Sequence, residues 1–382
     1  MSGDALNRIK DSKRIVIKIG SVLVADSESG LVKQNWVNAF ADDISALIKQ
    51  NIEIVIVSSG GVALGRRTIG IPAGTPPQKI PLEMKQASSA VGQFHLFNSY
   101  YKAFTALNIN VAQVLLTMSE TENRRMHLNA RETLYTLLER RIVPIINEND
   151  TVSTAEIRFG ENDSLAVRVG QMIGADLVIL LSTTDGLYTD NPDTNPDAQH
   201  IAVVDKITDE HTAMAGDAVP GLSTGGMKSK IQAAHNANQA GISLIIAEGR
   251  TQNALKQLIS DKSTPSTLFN AQETKSNARK RWIQSHIRPQ GKVFIDKGAA
   301  LALLDGKSLL PIGVKSIEGE FKRGDAITVH DEKTTHIATG LSAFSAANAS
   351  KLLGKNSREI EDILGYAGRS ELIHRDDLVL IT

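Results

Sequence analysis

The sequence predicts an α/β protein: a layered αβα domain built on a mainly parallel sheet, followed by a small, mostly β domain. Three observations carry this. Over roughly residues 1–260, short β-branched apolar runs alternate with longer stretches whose apolar residues recur at helical spacing, the order expected where each crossover between parallel strands is a helix. The runs are apolar throughout rather than alternating, as in strands covered on both faces. Beyond residue 288 the texture changes to short strands and turns, as in GKVFID, SLLPIGVKSIEGEFKRGDAITV and HIATGLSAF.

Taken in order, Arg14 to Ile19 (RIVIKI) reads as a buried strand ending at Gly20-Ser21. From Asn35, read as a cap, to Gln50, the residues Trp36, Val37, Phe40, Ile44, Leu47 and Ile48 fall at helical spacing. Glu53 to Val57 is a second strand that opens into Ser58-Ser59-Gly60-Gly61 and a following helix. Leu82 to Leu107 reads as a long helix, Val111 to Leu116 as a strand, Asn123 to Arg141 as a helix and Ile142 to Ile146 as a strand. Asn162 to Ile173 is then a helix, Leu177 to Leu181 a strand, Met227 to Ala240 a helix and Ser243 to Ala247 a strand. The expected domains are 1–262, a linker over 263–288 and a second domain over 289–382 with one helix around Asn356 to Leu364. The linker is inferred from Ser, Thr and Pro, then from the basic run Lys275, Arg279, Lys280 and Arg281 beside Trp282.

Composition narrows the function. Lys+Arg and Asp+Glu both total 42, so the formal net charge is zero and no bulk attraction to nucleic acid or anionic lipid is implied. Even residues 286–382 hold 13 Lys/Arg against 13 Asp/Glu, without the basic footprint of a nucleic-acid binder, so RNA binding by this tail is not expected. The chain has no cysteine, which excludes disulfides, thiolate metal sites and cysteine nucleophiles and fits a reducing cytoplasm. A polar start (MSGDALNRIKDSKR) and the lack of any run near the roughly 20 apolar residues needed to span a bilayer predict a soluble, cytoplasmic protein with no membrane partner. The nine histidines show no paired metal-ligand spacing. Arg124, Arg125 and Arg131 on one presumed helix suit a solvated or subunit-contact face.

The chemistry concentrates in IVPIINENDTVSTAEIRFGENDS, residues 142–164. An apolar strand ends abruptly in Asn147, Glu148, Asn149 and Asp150, and ligands bind at such carboxyl ends. After a short β-like return, a second cluster (Glu161, Asn162, Asp163) stands where a helix begins. Carboxylates and amides converging on a crevice suit a ligand bearing an ammonium group. Lys18, beside Gly20 at the end of the first strand, can set its ammonium on a phosphate, and Ser59-Gly60-Gly61 can form a nest of amides for an anion. Thr224, Gly225, Gly226, Met227, Lys228, Ser229 and Lys230 form a glycine loop running into a helix, with none of the Walker spacing. Ser182-Thr183-Thr184-Asp185-Gly186 follows a strand and can meet a nucleotide.

Together KIGSVLV, IVIVSSGGVALGR, IVPIINEND, AEIRFGENDSLA, LLSTTDGLYT and GLSTGGMKSKIQAA, in this order over nearly the whole chain, resemble the glutamate 5-kinases of the amino-acid kinase superfamily. LLPIGVKSIEGEFKRGDAI resembles the PUA domain appended to many members. The resemblance implies an amino-acid-kinase-like αβα fold with a PUA-like tail, ATP with Mg2+, and phosphorylation of L-glutamate to L-glutamyl 5-phosphate at the start of proline biosynthesis. It implies Lys18 and Lys230 on phosphate, Ser59, Asp150 and Asn162 on glutamate, and Ser182, Thr183 and Thr224 to Lys230 on the nucleotide. Ser182-Thr183 stands where many members have Thr-Asp, and Glu161 where many have Asp. Proline as feedback inhibitor, a homo-oligomer (dimer or tetramer) and hand-off to glutamyl-phosphate reductase also come with it.

Physically, Lys18, Lys230 and the amides of Ser59, Gly60 and Gly61 would neutralise charge on the transferred group. Asp163 would hold both lysines, and Asp150, helped by Asn162 and Glu161, would grip the substrate ammonium; no protein ligand is assigned to a metal. Two other readings compete: a kinase for another small acid or a nucleoside monophosphate, and an RNA-binding or regulatory protein working through its tail.

Overall fold

The first strand, β1 (Arg14–Ile19), lies in the middle of an eight-stranded sheet. The others are β2 (Glu53–Ser58), β3 (Val111–Leu116), β4 (Val143–Glu148), β5 (Leu177–Ser182), β8 (Val203–Val204), β9 (Ser243–Glu248) and β10 (Ser266–Phe269), in the order β3-β4-β2-β1-β5-β9-β10-β8. A two-stranded ribbon, β6 (Leu187–Tyr188) with β7 (His200–Ile201), stands apart. The six strands from β3 to β9 are all parallel; β10 runs antiparallel to β9. The computed structural model describes residues 3–26, 28–72, 74–152, 162–215, 226–274, 289–366 and 369–381, and it divides into two units, residues 1–275 and 276–382.

Alternation along β1 decides what each face of the sheet carries. Ile15, Ile17 and Ile19 enter one core with Trp36, Phe40, Ile44, Tyr100 and Phe104, from the helices Gln34–Ile48 and Leu82–Thr105. Val16 enters the other, with Leu165, Val169, Ile173, Ile231 and Ala234, from the helices Asn162–Ile173 and Met227–Gln239. Lys18 shares the parity of Val16, so it points toward the starts of those two helices. The register pairs Ile19 with Ser58 and with Leu181, and Ser182 with Glu248, so the polar ends of the central strands share one edge.

Several elements depart from their sequence reading. The first long helix starts at Gln34 with Lys33 as its uncapped N-cap; Asn35 lies inside the first turn, and packing of Trp36 and Val37 sets the start. Within the stretch read as linker, Ser266–Phe269 is a fully buried strand; Thr267 accepts from Leu187 N at 2.7 Å and donates to Ile201 O at 2.6 Å. The basic run beside Trp282, and the β-like return between the two polar clusters, lie outside the described residues.

The second unit holds a five-stranded sheet: β11 (Gly291–Ile295), β12 (Val314–Glu318), β13 (Ala326–His330), β14 (His336–Leu341) and β15 (Leu378–Leu380), in the order β12-β11-β13-β14-β15. Val293, Ile295, Phe321, Val329 and Leu352 fill its core. Besides the expected helical segment, which is Ile360–Leu364 after a 3-10 turn at Ser357–Glu359, it carries the helices Lys297–Leu304 and Ala346–Lys351. Asp296 and Ser345 cap these two, accepting from Ala299 N at 2.7 Å and Asn348 N at 3.3 Å. Among the described residues no helix is long and apolar enough to cross a membrane.

Candidate active site

The carboxyl ends of β1, β2, β4, β5 and β9 open into a cleft of about 1080 Å³. Lys18, Ser59, Gly60, Asp150, Asn162, Ser182, Thr183, Gly226, Met227 and Lys230, all singled out in the sequence, line it. Asp163 sits behind the wall, 2% exposed. Glu161, Thr224 and Gly225 lie outside the described residues. Lys228 is exposed and is not among the lining residues. Ser229 turns inward, donating to Gly226 O at 2.8 Å and to Asp163 Oδ2 at 3.4 Å.

Asp163 joins the two lysines. Its Oδ1 lies 2.6 Å from Lys18 Nζ, and its Oδ2 lies 3.3 Å from Lys230 Nζ. Burial alone would raise the Asp163 pKa, but the ammonium groups of Lys18 and Lys230 outweigh it and hold the carboxyl below the ordinary range. Burial lowers the Lys230 pKa, and Asp163 opposes that fall while Lys18 adds to it. One carboxylate thus faces two ammonium groups, leaving a net positive centre on the cleft wall.

On one side of this centre a set of amides converges. Asn162 Nδ2 donates to Ser59 Oγ at 2.6 Å and to Asn147 Oδ1 at 3.2 Å. Asn147 Nδ2 donates to Gln93 Oε1 at 2.7 Å, and Ser89 Oγ donates to Asp150 Oδ2 at 2.5 Å. Burial raises the Asp150 pKa and the Ser89 hydrogen bond partly offsets it. Ser89 and Gln93, one helical turn apart, were not found by reading the sequence. They reach this site because the helix Leu82–Thr105 crosses the short helix Gly61–Gly65 with no room between backbones. A Cβ on Gly65 would lie 1.8 Å from Ser88 O, and one on Gly92 1.8 Å from Gly61 O. The available signal was the small-residue run Ser88, Ser89 and Gly92, facing the glycines of GGVALG. Gly60, at φ 127°, adopts a conformation that side chains with a Cβ avoid.

On the other side, Ser182 ends β5, and Thr183, Thr184 and Asp185 follow it along the cleft. Asp185 Oδ2 accepts from Tyr188 OH at 3.0 Å. The helix Met227–Gln239 starts here, and its N-cap Gly226 supplies no side-chain cap, so its first N–H groups favour an anion. Glu248 accepts from Arg250 through both oxygens, at 2.8 and 2.7 Å. Among the described residues, no group of three or more His, Asp or Glu side chains is arranged to hold a metal ion. An amide-lined subsite and a subsite at the start of the helix Met227–Gln239 therefore flank the Lys18–Asp163–Lys230 centre.

Comparison with known proteins identifies the family of this chain. The amino acid kinase family matches residues 13–248, and the PUA domain matches residues 291–364. The glutamate 5-kinases of Brucella ovis and of Brucella suis biovar 1 are each 48% identical over 375 residues, 98% of this chain and 97% of theirs. The chain belongs to the glutamate 5-kinase family. Its αβα unit is the family's amino acid kinase domain and its second unit carries the PUA domain. Among solved structures, the UMP kinase from Ureaplasma parvum is similar with a TM-score of 0.48 and 17% identity, over 68% of this chain and 98% of that one.

Proposed function

We propose that this chain transfers the γ-phosphoryl group of ATP to the γ-carboxylate of L-glutamate, giving ADP and L-glutamyl 5-phosphate, the first step of proline biosynthesis. The observation that carries the reading is the Lys18–Asp163–Lys230 centre between the two subsites, in a chain 48% identical over nearly its whole length to glutamate 5-kinases.

The acceptor needs no general base, because a γ-carboxylate with a reference pKa of about 4.3 is already ionised near pH 7. The barrier is the approach of one anion to another. Lys18 and Lys230 lower it by facing the phosphoryl oxygens as charge spreads over them, and Asp163 keeps the two ammonium groups apart and aimed. The N–H groups of Gly60 and Gly61 are assigned to the acceptor side; that of Ser59, expected to join them, is spent on Ile19 O at 3.0 Å, which extends the β1–β2 pairing. Asp150 accepts from the substrate ammonium, helped by Asn162, and Glu161 is assigned to the same task. Ser182, Thr183 and the segment Thr224 to Lys230, apart from the outward Lys228, are assigned to the nucleotide. Mg2+ bound with ATP would supply further charge neutralisation; no side chain of this protein is assigned to it.

Incubating the protein with ATP, L-glutamate and hydroxylamine tests the reading. Glutamate-dependent ADP release with a trapped hydroxamate is expected, and its absence, with turnover on aspartate, acetylglutamate, carbamate or a nucleoside monophosphate instead, would refute it. We further propose self-association as a dimer or tetramer, inhibition by proline, delivery of product to glutamyl-phosphate reductase, and work in the cytoplasm. Self-association is supported by Phe94 and Tyr101, 69% and 51% exposed on one helix, and by Leu115, 37% exposed on the edge strand β3. The cysteine-free sequence suits a reducing compartment.

A further inference from the structure

Gln93 is buried on the helix Leu82–Thr105 and is not among the residues that line the cleft, yet it ends a chain of amides that leads there. The orientation of every amide in that chain is fixed from one end. The backbone N–H of Glu148 can only donate, and it donates to Asn147 at 2.9 Å, so the atom facing it is Oδ1. Asn147 therefore presents Nδ2 to Gln93, which must answer with Oε1. Asn147 Oδ1 also receives Asn162, so the Asn162 atom there is Nδ2, and its second proton goes to Ser59 Oγ. Both Asn162 N–H bonds are thereby spent on the protein. What remains is Asn162 Oδ1, a buried acceptor with no donor among the described residues. Such an atom is costly unless something completes it. An ammonium group can, since it only donates.

We infer that Gln93 is a positioning residue for recognition of the acceptor's amino group: its Oε1 anchors Asn147 Nδ2 and so holds in place the amide that the Glu148 N–H orients, which keeps Asn162 with Nδ2 on Ser59 and Oδ1 left for the substrate ammonium. The inference rests on the proposed glutamate reading and extends it to a residue outside the cleft. In the same arrangement Ser59 Oγ accepts from Asn162, which leaves the Ser59 hydroxyl proton for an anionic oxygen.

The test compares L-glutamate with glutarate, which has the same two carboxylates and no amino group, in the full-length protein. Gln93→Met keeps volume but removes the acceptor, and Gln93→Glu keeps an oxygen for Asn147. Gln93→Met should raise the glutamate KM about tenfold, the scale of one charged hydrogen bond. The ATP KM should stay within about twofold, and the preference for glutamate over glutarate should fall by the same tenfold. Gln93→Glu should recover most of the preference, and Asn162→Ala combined with Gln93→Met should be no worse than Asn162→Ala alone, because the two act through one bond. An unchanged glutamate/glutarate ratio, or glutamate and ATP KM values rising together, overturns the relay. Should Gln93→Met fail to fold, Gln93→Asn, too short to reach Asn147, is read the same way. A wild-type protein without turnover on glutamate overturns the parent reading; wild-type turnover with an unmoved ratio in the variant overturns the relay alone.

Discussion

Replacing Asp163 by Asn removes the one negative charge of the proposed Lys18–Asp163–Lys230 centre while keeping its shape. The carboxylate is 2% exposed and lies 2.6 Å from Lys18 and 3.3 Å from Lys230. At an effective dielectric near 20, a unit pair at 3.3 Å attracts by about 5 kcal/mol before desolvation is counted. Losing one member of a buried pair typically costs about 3–5 kcal/mol. Two consequences separate in the assay. Misaimed ammonium groups should lower kcat by about 10²–10³-fold, the scale of one preorganised electrostatic group. Asp163 also opposes the fall in the Lys230 pKa caused by burial, so its removal lowers that pKa further. Because the protonated amine is the active form, the alkaline fall in kcat should move to lower pH in the variant. Steady-state ADP release at saturating substrates across pH 6–10, with thermal melting on the same samples, checks both. Near-normal turnover with an unmoved alkaline limb, in a folded variant, would refute the role given to Asp163. The depressed Asp163 pKa contributes stability that is full above the ordinary carboxylate range and is lost as pH falls through the folded value, and this component should vanish from the variant's acid melting curve.

Other substitutions probe the same cleft. Lys230→Ala should lower kcat about 10²-fold or more, and normal turnover in the purified variant would remove Lys230 from the mechanism. Asp150→Asn should raise the glutamate KM about tenfold or more, for about 1.5–3 kcal/mol of charged hydrogen bonding; a change confined to the ATP KM would move Asp150 to the wrong substrate. The raised Asp150 pKa predicts that kcat/KM for glutamate falls as pH drops through a value above that of an ordinary aspartate. Ser89→Ala, which removes the bond that opposes the rise, should shift that limb to still higher pH; an unmoved limb would count against Asp150 as the binding group. Gly92→Ala places a Cβ 1.8 Å from Gly61 O and should destabilise by about 1–3 kcal/mol in denaturant melts, with wild-type stability showing that the helix crossing is looser than described.

What could be read from the sequence, and what could not, divides along physical lines. The central strands are covered on both faces, so they are uninterrupted apolar runs, and each change from apolar to polar marks a point on the cleft edge. That is why Lys18, Ser59, Asp150 and Ser182 could be found one strand at a time. Asp163 was legible as part of a polar cluster at a helix start and Lys230 as a lysine one turn inside the helix after a glycine loop; that both helices lie on the face Val16 and Lys18 share is visible only in the fold. Ser89 and Gln93 carry no such mark. Their helix buries Ser88, Ser89, Gly92 and Gln93 together with Leu96, Tyr100 and Phe104, so polar side chains stand where the helical pattern calls for apolar ones. What places them is backbone approach at Gly65 and Gly92, a property of two segments at once that neither segment displays alone. The same blindness hid Ser266–Phe269: its Ser and Thr read as linker, while in the fold Thr267 is fully buried and spends its hydroxyl on Leu187 and Ile201. Buried polar residues that serve other polar groups are thus the part of this chain that local patterning misses, and they lie directly behind the residues that patterning finds.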